Sequence, residues 1–155
     1  GRLNNILENE TMAHTFTQLI CHCVFATKGR LNIITPPLAA KLHAYIAAII
    51  RNEIGFVRAI GGTANHIHIL ADITASISVA DAVRDIKSRS SGWVRSDIGN
   101  RSFGWQEGYG AFSVSASAVD AVKAYIDNQE EHHATRTFEE EFRLLLEKHG
   151  IAYEK

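Results

Sequence analysis

The segment GGTANHIHILADI, residues 61–73, reads as a turn followed by a strand. Successive side chains of an extended chain point to opposite faces. His66 and His68 therefore share one face, while Ile67, Ile69 and Ala71 share the other. The isoleucines belong against a helix-packed core, which leaves both imidazoles on the opposite, open face. FVRAI at 56–60 is short and rich in β-formers, so it reads as a partner strand joined to HIHILA (66–71) around Gly61-Gly62.

The same reading extends outward. FTQLICHCVFAT (16–27) is rich in β-branched and aromatic residues and predicts a strand. Thr35-Pro36 supplies an N-cap and a first-turn proline. Leu38, Leu42, Ile46 and Ile49 then recur at helical spacing until Gly55 ends the helix. Ser78 and Asp81 form a capping box for a second helix, whose stripe is Val79, Val83, Ile86, Ser90 and Trp93, with the serine as the weak member. YGAFSVS (109–115) is a fourth strand. Ser117 and Asp120 are expected to cap a third helix with the stripe Val119, Val122 and Ile126, and Thr137 and Glu140 a last one carrying Phe138, Phe142 and Leu145. The order β-α-β-β-α-β is that of an α+β, ferredoxin-like (split βαβ) sandwich, an antiparallel sheet with two helices on one face. The extra C-terminal helices are expected on the open face or against a second subunit.

With 155 residues, one domain is expected, here over 13–155, with residues 1–12 a tag or N-terminal extension. Hydrophobic residues at 46% and charged residues at 21% give a globular profile. No apolar run reaches the roughly 20 residues that span a bilayer. No membrane partner is therefore expected, and the absence of a signal-peptide pattern points to the cytoplasm. A net charge of −1 does not suit a protein that coats nucleic acid indiscriminately, although it permits a local basic face. Cys21 and Cys23 are too close on one extended segment for an ordinary disulfide.

Two imidazoles side by side suit a divalent metal, though two polar residues on an exposed strand would show the same pattern. Tyr125 and Gln129 are four residues apart and share a helix face with Ala121 and His132 or His133. A glutamine carbonyl is a reasonable oxygen ligand for Mg²⁺ or Mn²⁺. A tyrosine beside a metal can attack phosphorus, yet the spacing by itself favours an amphipathic tyrosine at a helix flank. In Cys21-His22-Cys23 a strand sends His22 away from both thiols, so buried cysteines and a satisfied histidine are expected. Glu139–Glu141 reads as a solvated face. Trp105 suits either base stacking or the core. Lys28 and Arg30 follow the first strand, and Arg84, Lys87, Ser91 and Arg95 line one face of the second helix; these cations could track phosphates.

Together, FTQLICHCVFATKGR (16–30), GGTANHIHILADI (61–73), IKSRSSGW (86–93), WQEGYGAFSVS (105–115), AYIDNQEEHH (124–133) and FEEEFRLLLEKHGI (138–151) resemble the single-tyrosine HUH transposases of the IS200/IS605 group, over about residues 13–155. The resemblance implies that His66 and His68 bind a divalent metal, Mg²⁺ or Mn²⁺, with Gln129 as third ligand, and that Tyr125, on the third helix, is the nucleophile. It implies cleavage and rejoining of single-stranded DNA at hairpin-marked element ends through a 5′-phosphotyrosine. It also implies a homodimer, in which one subunit's tyrosine helix can complete the other's site. No nucleotide-driven step is needed, in keeping with the lack of a G-x-x-x-x-G-K-[ST] loop. Two other classes fit less well. A histidine-triad hydrolase needs a third alternating histidine where Leu70 stands. A non-cleaving or domesticated hairpin-binding relative would leave the same residues idle.

Overall fold

The computed structural model describes residues 15–154, so the expectation for residues 1–12 lies outside the described residues. Four strands, β1 (Ile20–Ala26), β2 (Gly55–Gly62), β3 (His66–Ile73) and β4 (Gly110–Ser113), form one antiparallel sheet in the order β2-β3-β1-β4. Helices α1 (Pro36–Ile49) and α2 (Val79–Trp93) complete the β-α-β-β-α-β unit that the sequence predicts. Three more follow: α3 (Val119–Asp127), α4 (Gln129–His133) and α5 (Phe138–Lys148).

Register assigns the faces. Val24 pairs with His68, Ala26 with His66 and His22 with Leu70, so these six side chains share a side. Cys21, Cys23, Phe25, Ile67, Ile69 and Ala71 take the other side and join the α1 and α2 stripes in one continuous core. Leu38, Leu42, Ile46 and Ile49 of α1 are all buried there, as their spacing requires. Of the α2 stripe, Val83, Ile86 and Ser90 are buried, whereas Val79 is exposed. Ser90 owes its burial to Trp105, whose indole Nε1 donates to its hydroxyl at 2.9 Å. Trp105 itself packs edge-on against Phe25 and Phe103, a core residue and not a stacking platform.

The C-terminal helices take the open face of their own sheet. Ile126 of α3 packs with Ile20, Ala59 and Leu70, and Phe138 of α5 with Val24, Ala26 and Phe112. Two glycines on that face allow the approach. A Cβ on Gly61 would meet the Ile126 carbonyl oxygen at 2.5 Å, and one on Gly110 would meet the Phe142 ring at 2.6 Å. Helix caps follow the sequence at Thr35, Ser78 and Thr137, whose side chains accept from Leu38, Asp81 and Glu140 amides. Ser117 does not cap α3: a 3₁₀ turn at Ala116–Ala118 precedes the helix, and the Ser117 hydroxyl instead meets that of Ser115.

Candidate active site

His66 and His68 lie at the start of β3, fully buried beneath the C-terminal helices. Tyr125 is two residues from the end of α3. The shared helix face expected for Tyr125 and Gln129 is interrupted, because α3 ends at Asp127 and Gln129 opens α4 after a kink at Asn128. The pair is brought together nonetheless, since the Gln129 amide Nε2 donates to the Tyr125 carbonyl at 3.3 Å. That bond turns Gln129 Oε1 toward His66, 2.9 Å from its Nε2.

The sequence reading misplaced one residue of this cluster. Glu139 and Glu140 are exposed, but Glu141 is only 2% exposed and stands at the centre of the site. Its Oε1 lies 2.9 Å from His68 Nε2 and 3.6 Å from His66 Nε2. Its Oε2 accepts from the Tyr125 hydroxyl at 2.5 Å. The signal was present: Phe138, Glu141, Phe142 and Leu145 fall at i, i+3, i+4 and i+7, so Glu141 is a carboxylate set inside an apolar stripe.

His66 Nδ1 lies 2.8 Å from Asn65 Oδ1 and 2.9 Å from the Thr63 hydroxyl. A proton on Nδ1, donated to Asn65 Oδ1, leaves Nε2 as a lone pair able to bind a metal. In that tautomer the Nε2 lone pair, the Gln129 carbonyl and the Glu141 carboxylate converge as three donor groups for an ion. His68 can do the same: its Nδ1 is 2.8 Å from His22 Nε2, and donation to His22 frees Nε2. One ligand atom each from His66, His68 and Glu141 lies within 4.8 Å of the others. His133 Nε2 sits 3.0 Å from Glu141 Oε2 but is misaligned, and it is buried without a hydrogen-bond partner. A mixed imidazole, carboxylate and amide-carbonyl set of this kind fits a divalent cation.

The electrostatics agree. Burial, reinforced by His68, lowers the His66 pKa to about 4, and burial with the same neighbour lowers that of His22 to about 3. Both rings are thus neutral at physiological pH, the form that binds metal. Burial alone would raise Glu141, but hydrogen bonds from His68, in the tautomer protonated at Nε2, and from the Tyr125 hydroxyl outweigh it and hold the carboxyl well below its ordinary range. Burial and the Glu141 hydrogen bond push the Tyr125 phenol up. Cys21 and Cys23 are buried on the opposite face of the sheet, as expected.

The expected phosphate-tracking cations divide. Lys28, Arg84, Lys87 and Arg95 line one cleft of about 720 Å³ between α2 and the 101–109 segment, together with Arg101. Two of them also fasten that segment: Lys87 Nζ donates to the Gln106 and Gly108 carbonyls at 2.7 Å, and Arg95 to Phe103 at 3.1 Å. Arg30 is not in the cleft; it pairs with Glu139 at 2.8 Å. Among the described residues, no helix is long and apolar enough to cross a membrane.

The family model described as "Transposase IS200 like" matches residues 15–129. No curated protein matches the chain. Among solved structures, a protein from Deinococcus radiodurans R1 assigned as a transposase superposes with a TM-score of 0.62 at 21% identity, covering 77% of this chain and 97% of that one. A REP-associated tyrosine transposase bound to a REP hairpin superposes with a TM-score of 0.60 at 13% identity, covering 81% of this chain and 74% of that one. At these identities the likeness is one of fold.

Proposed function

The chain belongs to the IS200-like transposase family, and from that premise we propose that it cleaves and rejoins single-stranded DNA at hairpin-marked ends, with Tyr125 as nucleophile. The observation that carries this reading is the meeting of the Tyr125 hydroxyl with the buried His66, His68, Gln129 and Glu141 cluster.

His66 and His68 through Nε2, Gln129 through its carbonyl and Glu141 through its carboxylate would hold Mg²⁺ or Mn²⁺. A bound ion would neutralise charge on the scissile phosphate. Tyr125 Oη attacks that phosphorus, the P–O3′ bond breaks, and the departing 3′ oxygen gains a proton. The products are a 5′-phosphotyrosine and a free 3′-OH. A second 3′-OH then attacks the phosphotyrosine, restoring a phosphodiester and the phenol. Glu141 orients the phenol by accepting its hydrogen bond, and His22 orients His68. Because each step exchanges one phosphate ester for another, no external energy source enters.

These groups meet within one chain here, and the family resemblance also allows one subunit's tyrosine helix to complete the other's site. A homodimer, which the family resemblance implies, would bring two such sites to the two DNA ends. The cleft lined by Lys28, Arg84, Lys87, Arg95 and Arg101 is the proposed phosphate track. Hairpin affinity should then fall steeply with salt despite the net charge of −1. The cytoplasm is the proposed site of action.

The test is a denaturing gel with labelled hairpin DNA from the sequence flanking the gene. A covalent protein–DNA band that requires Mn²⁺ or Mg²⁺ and vanishes in Tyr125→Phe supports the reading. A band that survives in Tyr125→Phe moves the nucleophile elsewhere. Hairpin binding without any band favours a non-cleaving relative.

A further inference from the structure

A second cleft, of about 520 Å³, opens between α3 and α5 beside Tyr125 and lies on the sheet face opposite the basic cleft. We propose that it is a nucleotide subsite, holding one unpaired base of the strand next to the phosphate that Tyr125 attacks. The proposal rests on the tyrosine reading above and adds to it a place for the single strand.

The cleft's chemistry is that of a nucleotide. Val114, Ala118, Ala121, Val122, Leu144 and Leu145 supply apolar walls for the faces of a base. The His149 ring, stacked on Phe112 at a centroid distance of 4.5 Å, adds an aromatic surface. His149 Nδ1 is engaged by the Leu145 carbonyl at 2.8 Å, which leaves Nε2 as the ring's acceptor. Ser113 and Ser115 add hydroxyls suited to a base edge. Arg136 and Lys148 give the lining two positive charges.

Among the described residues, the only carboxylate lining the cleft is Glu141, already engaged by His68 and Tyr125. Apart from Glu141, whose carboxylate faces the histidine cluster, an anionic ligand meets only the positive charges of Arg136 and Lys148 there. The volume falls in the range of roughly 300–1,000 Å³ typical of small-ligand sites. A base held in such a space must leave its duplex, which would make the cleft a physical selector for single strands beside the tyrosine.

The experiment is an amide NMR titration of the full chain with tetradeoxynucleotides of A, C, G or T, and separately with inorganic phosphate. The expected result is that at least one tetranucleotide shifts signals from 113–122 and 144–149 at concentrations where phosphate does not. Ala121→Trp, which fills one wall without touching the metal cluster, should weaken that binding about tenfold, the scale of one lost stacking contact. The double variant Arg136→Ala with Lys148→Ala should weaken it as well and guards against a misfolded Ala121→Trp. Equal shifts from phosphate alone would overturn the subsite, as would tetranucleotide shifts confined to the basic cleft or a wall variant with unchanged affinity. The covalent band is read independently: its absence removes the cleavage reading, whereas an absent cleft shift removes the subsite alone.

Discussion

The two faces of one four-stranded sheet are built on different principles. Toward α1 and α2 the strands present Cys21, Cys23, Phe25, Ile67, Ile69 and Ala71 to a single unbroken apolar core. Toward α3, α4 and α5 they present two small apolar clusters, one around Leu70 and Ile126 and one around Phe112 and Phe138, parted by a buried polar band of His22, His66 and His68. Hydrophobic burial is the dominant favourable term in folding, so stability should reside on the first face. A buried polar network is costly unless satisfied, so the second face is where stability is traded for chemistry.

The largest expected effect tests the apolar face. Ile67 is fully buried, and its neighbours on β3, His66 and His68, point the other way. Ile67→Ala should cost about 2–5 kcal/mol in denaturant unfolding. A loss well under that range would mean the α1/α2 core is not where the stability lies.

The faces also differ in how far the sequence disclosed them. The α1/α2 face was legible except at Val79, because alternation on β3 and the Leu38, Leu42, Ile46 and Ile49 repeat each mark a single buried side. His66, His68, Tyr125 and Gln129 were legible as a motif, but their meeting depends on a kink at Asn128 and on close approach at Gly61, which no periodicity encodes. Glu141 was missed because its neighbours Glu139 and Glu140 make the segment look solvated, and only its position in the Phe138–Leu145 stripe betrays it. Lys87 and Arg95 looked like free cations, but sequence cannot show that backbone carbonyls of the 101–109 segment engage them.

The next effect belongs to the polar band. In the unfolded chain histidines take up protons below about pH 6.5. Folded, His66 does so only near 4 and His22 near 3. Between those limits the unfolded state binds more protons, so stability falls as pH drops. The depressed Glu141 carboxyl acts in the same direction below its ordinary value of 4.5. Unfolding midpoints measured with a chelator present should be flat above about pH 6.5 and fall steadily toward pH 4. A midpoint unchanged across that window would mean the histidines are not buried as neutral rings.

A smaller change should separate stability from metal binding. Glu141→Leu removes the acceptor used by His68 and by the Tyr125 hydroxyl, and leaving a buried donor unsatisfied costs about 1–3 kcal/mol. We expect metal-free stability to fall by about that much. The rise in Tm that Mn²⁺ gives the wild type should shrink or vanish, because ligand binding stabilises only through the native site. An undiminished Mn²⁺ effect would remove Glu141 from the ligand set.

The finest test compares two similar caps on opposite faces. Ser78 accepts the Asp81 amide at 3.0 Å at the start of α2, and Thr137 accepts the Glu140 amide at 3.2 Å at the start of α5. Replacing either with alanine removes one capping bond, worth about 1 kcal/mol. Ser78→Ala should register in global unfolding, because α2 is part of the continuous core. Thr137→Ala should register locally, because α5 rests on a small cluster and can open by itself. Amide exchange in α5 should then quicken about fivefold, the rate equivalent of about 1 kcal/mol, with little change in the global midpoint. Mn²⁺ affinity should fall with it, since α5 carries Glu141. Equal global losses from both caps would show that α5 unfolds only with the whole molecule, and the division of labour between the two faces would then be chemical without being mechanical.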